Sequence, residues 1–384
     1  MQHNGLSPNP AVNRQHAVDH GIVVSHDGAL ESQSVVCTSR SGVLIVDKPQ
    51  GVTSHDVVAA VRSMLHIKKV GHAGTLDPMA TGVLVIGFGH ATRLLNYIVD
   101  HDKTYEATIR LGQSTTTDDA DGEVLAPSGT PDCRSITREH IEQVIDDNLV
   151  GNIEQVPSTY SAIKVDGKRA YDLARSGQEV HLQPRPVSIE SFTVTDMRRT
   201  ILTQTLTRVQ PKVANGDSIG DVDVKTMYGI DIDVTVTCSA GTYIRSLARD
   251  LGALLEVGGH LTRLRRTRVG DFGLDPEHTM YASVQSRTFT NRQGERITRN
   301  KAILEGTQDD VRRLSLSMAQ SARQTMPVVS IDIQQAQGLR YGRRIALSLS
   351  TISAAIEESS EDVVAILEPV DASSAKPITV FPAG

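Results

Sequence analysis

The 384-residue chain contains no tryptophan, and its aromatic content is only 3%. Each Tyr and Phe is therefore worth locating, because aromatics carry much of core and stacking energy. Cysteine is equally sparse: Cys37, Cys133 and Cys238 lie far apart and form no CxxC pair or His/Cys cluster. The pattern points away from a zinc or dithiol motif and fits reduced thiols in a cytoplasmic protein. No uninterrupted apolar run is long enough to span a bilayer. The first residues, rich in His, Asn and Ser, lack the apolar core of a signal peptide. A net charge of −6 argues against non-specific coating of nucleic acid but leaves room for a local basic groove.

What is present is ordinary for a globular chain, with 39% hydrophobic and 22% charged residues. The length suits about two domains. Residues 1–40 show no periodicity and read as a disordered tail. Order begins at Gly42-Val43-Leu44-Ile45-Val46-Asp47-Lys48-Pro49, an apolar strand ended by a Lys-Pro turn. Thr53-Ser54-His55-Asp56, ahead of Val57, Val58, Val61 and Leu65, predicts a capped amphipathic helix. Strands are predicted at 82–87, 103–112, 187–197 and 229–238, and helical turns at 91–97, 135–150, 170–175 and from Tyr243 to about Leu255. The polar stretch 199–227 reads as an insertion or extended hairpin. A composition shift at 283–299 predicts a domain boundary, and residues 328–384 read as a small β-rich module.

Four segments could carry chemistry. Gly71-His72-Ala73-Gly74-Thr75-Leu76-Asp77-Pro78-Met79-Ala80-Thr81-Gly82 holds one carboxylate among glycines and a proline, a poor helix and a poor strand. It reads as a preset loop presenting Asp77, either as the cap of a helix or turn beginning there or as a reactive acid. Gly241-Thr242-Tyr243-Ile244-Arg245 sits at a strand-to-helix junction, where a cation opposes the helix dipole and is poorly explained by stability. Lys103-Thr104-Tyr105 puts an aromatic on a strand, as core or as a base-stacking face. His260 to Arg268 packs Arg263, Arg265, Arg266 and Arg268 together, either a solvated charge run or a phosphate-binding groove.

Taken in order, Asp47 to Ser54, the Asp77 loop, Lys103-Thr104-Tyr105, Pro157 to Tyr171 and Ser239 to Arg245 resemble the TruB family of tRNA pseudouridine synthases. The loop is similar to the signature His-x-Gly-x-Leu-Asp-Pro-x-Ala-x-Gly. Ala240 stands where the family often has Lys. The resemblance implies an α+β fold: a mixed, largely antiparallel sheet with flanking helices. It implies a pseudouridine synthase domain over 41–282, a linker over 283–327 and a PUA-like module over 328–384. It also implies a reaction on uridine-55 of the tRNA T-loop, with no cofactor, no metal and no obligate protein partner, carried out by a monomer. Asp77 would be the nucleophile, Arg245 its ionic partner and Tyr105 the ring stacked on the flipped base. His72 would fill the space the base vacates. Lys48, Tyr243 and Leu264 would line the pocket, and Arg263, Arg265 and Arg266 would track T-arm phosphates. Three rival readings are a non-catalytic tRNA-binding or folding factor on the same scaffold, a guide-RNA-dependent synthase, and a hydrolase using a lone carboxylate, which would lack a second positioned acid. The first would need no acid at Asp77 and no partner at Arg245. The second would favour a basic tail, whereas Glu357-Glu358 and Glu361-Asp362 make this one acidic.

Overall fold

Strand β1 (Gly42–Lys48) forms where the apolar run predicts it. Helix α1 (Ser54–Leu65) starts at Thr53, whose hydroxyl accepts from the Asp56 amide while the Asp56 carboxylate accepts from the Thr53 amide. The computed structural model describes residues 40–125, 132–160, 164–165, 168–169, 182–207, 222–291 and 293–383. All but the last residue of the expected tail, and the helix predicted at 170–175, lie outside the described residues.

The chain continues through β2 (Val70–His72), β3 (Thr81–Phe88), α2 (Leu95–Ile98), β4 (Lys103–Leu111), α3 (Arg138–Asn148) and β5 (Gly151–Gln155). The helical stretch predicted at 91–97 is split between a 3-10 turn at Gly89–Arg93 and the single turn of α2. The short strands β6 (Lys164–Val165) and β7 (Lys168–Arg169) pair with each other. Long strands β8 (Arg185–Thr207) and β9 (Val222–Cys238) come next. The stretch 199–227 therefore extends these two strands as a hairpin, its middle outside the described residues. Helix α4 (Ile244–Leu254) leads to β10 (Gly259–Val269) and β11 (Phe272–Gly273).

These strands build an 11-stranded sheet whose main path also takes in β12 (Thr279–Thr290) and β13 (Arg296–Leu304); its order is β13-β12-β1-β3-β10-β4-β9-β8-β5. Among the described residues of this sheet, only the β1–β12 and β3–β10 strand pairings are parallel. The boundary expected at 282/283 falls inside β12, and the range expected as a linker carries a strand hairpin followed by α5 (Gln308–Leu314) and α6 (Met318–Thr325). Its polar composition reflects a ribbon exposed on both faces rather than a lack of structure. Beyond it, β14 (Val328–Ile331), α7 (Ile333–Arg340), β15 (Ile345–Ala346), β16 (Ser353–Glu357), β17 (Val363–Asp371) and β18 (Ser374–Val380) supply a separate five-stranded sheet.

Period-two alternation gives the large sheet two unlike faces. Leu44, Val46, Leu84, Ile86, Ala107, Ile109, Ile232, Val234 and Val236 point into the main core with α1 and α4. On the other face, Val43, Ile45, Val83 and Val85 pack against α6 and the C-terminal sheet. Further along that second face, β4, β8, β9 and β10 carry ionic pairs in contact with solvent: Arg110 with Asp231 at 2.7 Å, Arg198 with Asp233 at 2.7 Å, and Arg263 with Glu106 at 3.8 Å.

Candidate active site

The Asp77 loop is tied down on every side. Ser54 Oγ accepts from the Leu76 amide at 2.8 Å and donates to the Leu76 carbonyl at 3.1 Å. The Gly51 amide donates to the Pro78 carbonyl at 2.8 Å. Lys48, with no exposed surface, donates to the Ala80 carbonyl at 2.7 Å and the Pro49 carbonyl at 3.0 Å. Gly82 has φ +100, and a Cβ there would lie 2.1 Å from the Arg266 carbonyl oxygen, so only glycine lets the loop rejoin the sheet. A turn, not a helix, begins at Asp77, closed by the Ala80 amide on the Asp77 carbonyl at 3.1 Å, and β3 follows it.

The carboxylate instead meets Arg245. Arg245 Nε lies 2.9 Å from Asp77 Oδ2, with Arg245 4% exposed and the Asp77 side chain 37% exposed. Arg245 is the second residue of α4, and its guanidinium is satisfied from behind. It donates to the carbonyls of Thr117 at 3.0 Å and Tyr160 at 2.9 Å. It also pairs with Asp119 Oδ2 at 3.4 Å, a carboxylate almost fully buried. Asp119 is in turn fixed by the Thr117 hydroxyl at 2.5 Å and the Asp121 amide at 3.1 Å. The result is one arginine between an internal carboxylate and an accessible one. Gln155, 1% exposed, locks the turn before α4 by accepting from the Tyr243 amide at 2.8 Å and donating to its carbonyl at 3.1 Å.

Asp77 opens into a cavity of about 490 Å³, lined among others by Tyr105, Tyr243, Arg245, Leu264 and Arg266. That volume is within the roughly 300–1,000 Å³ of small-ligand pockets. Strand pairing sets Tyr105 on β4 directly opposite Arg266 on β10, and Ala107 opposite Leu264. Burial pushes the Tyr105 phenol up, so it stays protonated. Lys103 also faces the cavity; burial and then the nearby Arg266 lower its ammonium to about 8, while its Nζ donates to the Val99 carbonyl at 2.7 Å.

Six of the ten residues expected at the site contribute to it directly: Asp77, Tyr105, Tyr243, Arg245, Leu264 and Arg266 line the cavity. Lys48 lies beneath the loop, and burial lowers it to about 8. His72 is on β2, beside the His55 ring at 5.5 Å; burial, then His55, holds it neutral, down to about 4. The arginine cluster does not form one positive surface. Arg266 is 1% exposed, donating to the Val83 carbonyl at 2.8 Å and the Gly74 carbonyl at 3.0 Å. Arg265 is on the opposite face, gripping Asp47 with both terminal nitrogens at 2.7 and 3.0 Å. Arg263 faces Glu106, and Arg268 bonds Asp102. Alternation along β10 separates neighbours that look contiguous in sequence. Sequence reasoning missed Asp119, Gln155 and the cavity-facing role of Lys103. Asp119 and Gln155 sit in polar stretches with no local signal, and Lys103 was visible only as the neighbour of Tyr105.

Two family models match: TruB family pseudouridylate synthase (N terminal domain) over residues 62–244, and tRNA pseudouridylate synthase B C-terminal domain over 245–299. A protein of Bifidobacterium longum named tRNA pseudouridine synthase B is 51% identical over 389 residues, covering 90% of this chain and 99% of that one. Its namesake in Mycobacteroides abscessus is 44% identical over 329 residues, covering 86% and 92%. Among solved structures, a chain of an H/ACA RNP bound to a substrate RNA containing 2'-deoxyuridine shares the fold, with a TM-score of 0.55 and 22% identity over 89% of this chain and 85% of that one. A chain of a Cbf5-Nop10-Gar1 complex does so equally, with a TM-score of 0.55 and 23% identity over 90% and 84%. At 51% identity to a relative matched over 90% of this chain, and with a matching family model, this chain belongs to the TruB family of tRNA pseudouridine synthases.

Proposed function

We propose that this chain converts uridine-55 in the T-loop of tRNA to pseudouridine, with Asp77 as the reactive acid, and that it does so as a monomer without an obligate protein partner. The reading is carried by the Asp119–Arg245–Asp77 line, which fixes a partly exposed carboxylate at the wall of the cavity. The reaction breaks the N1–C1′ bond and makes a C5–C1′ bond; C5 loses a proton and N1 gains one, so substrate and product are isomers. The base must leave the T-loop stack to reach Asp77, at a cost of a few kcal/mol. Stacking on Tyr105 returns about 1–3 kcal/mol per base. Arg245 holds Asp77 aimed, and Asp119 holds Arg245, so the acid does not reorganise as the glycosidic bond breaks. Tyr105 stands beside the base as the group that handles the C5 proton; its phenol must release its own proton to take that one.

Tritium release from tRNA labelled at C5 of uridine tests this reading. The unaltered chain is expected to release label with pseudouridine appearing at position 55. Asp77→Asn is expected to lose at least about 1,000-fold in rate, with tRNA affinity kept within about threefold. Full activity in that variant would remove Asp77 from the chemistry. Tight tRNA binding without release by the unaltered chain would favour the folding-factor alternative.

A further inference from the structure

The β12–β13 hairpin leaves the body of the sheet at about Ser283, and from there to Lys301 its described residues are exposed or at most half-buried. Its register puts Arg287 directly opposite Arg299, with the Gln285–Lys301 pair and the Phe289–Ile297 pair two residues away on the same face. Like charges directly across a strand pair are destabilising. Among the described residues no ion pair joins Arg287, Arg299 or Lys301 to an acid. The Arg299 guanidinium lies 5.3 Å from the centre of the Phe289 ring, so the face carries both cations and an aromatic. The single acid of the ribbon, Glu295, accepts from Asn291 at 2.8 Å. In a chain of net charge −6, this is a local concentration of unneutralised positive charge.

The ribbon is also attached to the active site. Asn300 Nδ2 donates to the Gly51 carbonyl at 2.8 Å, and the Gly51 amide donates to the carbonyl of Pro78, the residue after Asp77. Two hydrogen bonds therefore connect the ribbon's base to the catalytic loop. Arg265, Arg266 and Arg268 of β10, by contrast, are occupied by protein partners and have little left to offer phosphates.

We infer that the β12–β13 ribbon binds the phosphate backbone of the substrate tRNA outside the cavity, through Arg287, Arg299 and Lys301. The inference rests on the tRNA reading above and names a contact surface for it. The ribbon pays for an Arg–Arg cross-strand pair in the free protein, and an RNA backbone converts that repulsion into two charge-assisted contacts.

The test is an Arg287→Gln/Arg299→Gln double variant of the full chain, assayed with an unmodified tRNA transcript. At 0.1 M salt its Kd is expected to rise about tenfold, and the slope of log Kd against log salt to shrink by about 1–2. Product formation at saturating tRNA is expected to stay at the level of the unaltered chain. Arg287→Lys/Arg299→Lys is expected to keep the original salt slope. The thermal midpoint of the Gln variant is expected to equal or exceed that of the parent, because a like-charge pair has been removed. An unchanged Kd and salt slope, or a lowered midpoint revealing a structural pair, would overturn the inference. Absence of product from the unaltered chain would instead overturn the proposed function, since the salt slope reports the ribbon independently of turnover.

Discussion

The two faces of strands β4 and β10 are built from alternate residues of the same segments, yet their charges behave in opposite ways. On the cavity face and under its loop, cations are pushed toward neutrality: Lys48 and Lys103 to about 8 and His72 to about 4, each chiefly by burial. On the outer face, ions are pushed toward charge. Asp233 is lowered by its bond to Arg198, and Arg110 and Arg265 are raised by their bonds to Asp231 and Asp47. The difference is one of solvent and partners, not of residue type. A face that loses water can keep full charge only where an opposite charge is fixed in place. On the cavity face, Asp77, Arg245 and Asp119 meet that condition together.

This contrast can be tested at graded cost. Tyr105→Phe removes only the phenolic hydroxyl from the cavity face; turnover is expected to fall about 100-fold with tRNA affinity within about threefold, read by single-turnover kinetics. Matching losses in rate and affinity would reduce Tyr105 to a stacking surface. Next, Arg266→Met strands the Val83 and Gly74 carbonyls without their buried donor. It is expected to cost about 2–3 kcal/mol in urea unfolding. Arg265→Gln, one residue away on the outer face, is expected to cost at most about 1 kcal/mol, since its partly exposed pair with Asp47 is screened by water. Comparable losses from the two substitutions would erase the distinction between the faces.

The smallest effect is in pH. His72 has an ordinary value of 6.5 and is held down to about 4 in the fold. Between those values the unfolded chain binds a proton that the native chain refuses, so stability falls as pH drops from 6.5 to about 4. Below about 4 both states are protonated and His72 contributes no further slope. Replacing His72 with Gln is expected to flatten this part of the pH–stability curve, measured by urea midpoints at half-unit pH steps. An unaltered slope would place the acid sensitivity elsewhere.

Much of the scaffold was legible because its signals are local. The Thr53–Asp56 cap, the alternation of 231–238 and the apolar stripe of α4 each arise from neighbours a few residues apart. The ribbon was misread as a boundary because polar residues on both faces of a hairpin have the composition of a linker. The arginine cluster looks contiguous because composition counts four charges within six residues, whereas a strand deals them to opposite sides.

The sequence by itself determined the loop that offers Asp77, since its glycines and Pro78 disfavour helix and strand interiors, and it determined which strands and helices carry Tyr105 and Arg245. Only the tertiary structure decided the electrostatics. Asp119 reaches Arg245 across 126 positions, Arg266 rather than Arg265 turns inward, and burial rather than residue identity sets the protonation of Lys48, His72 and Lys103. Charge in a protein depends on what water is excluded and which partner is fixed nearby, and both are properties of packing between segments distant in sequence.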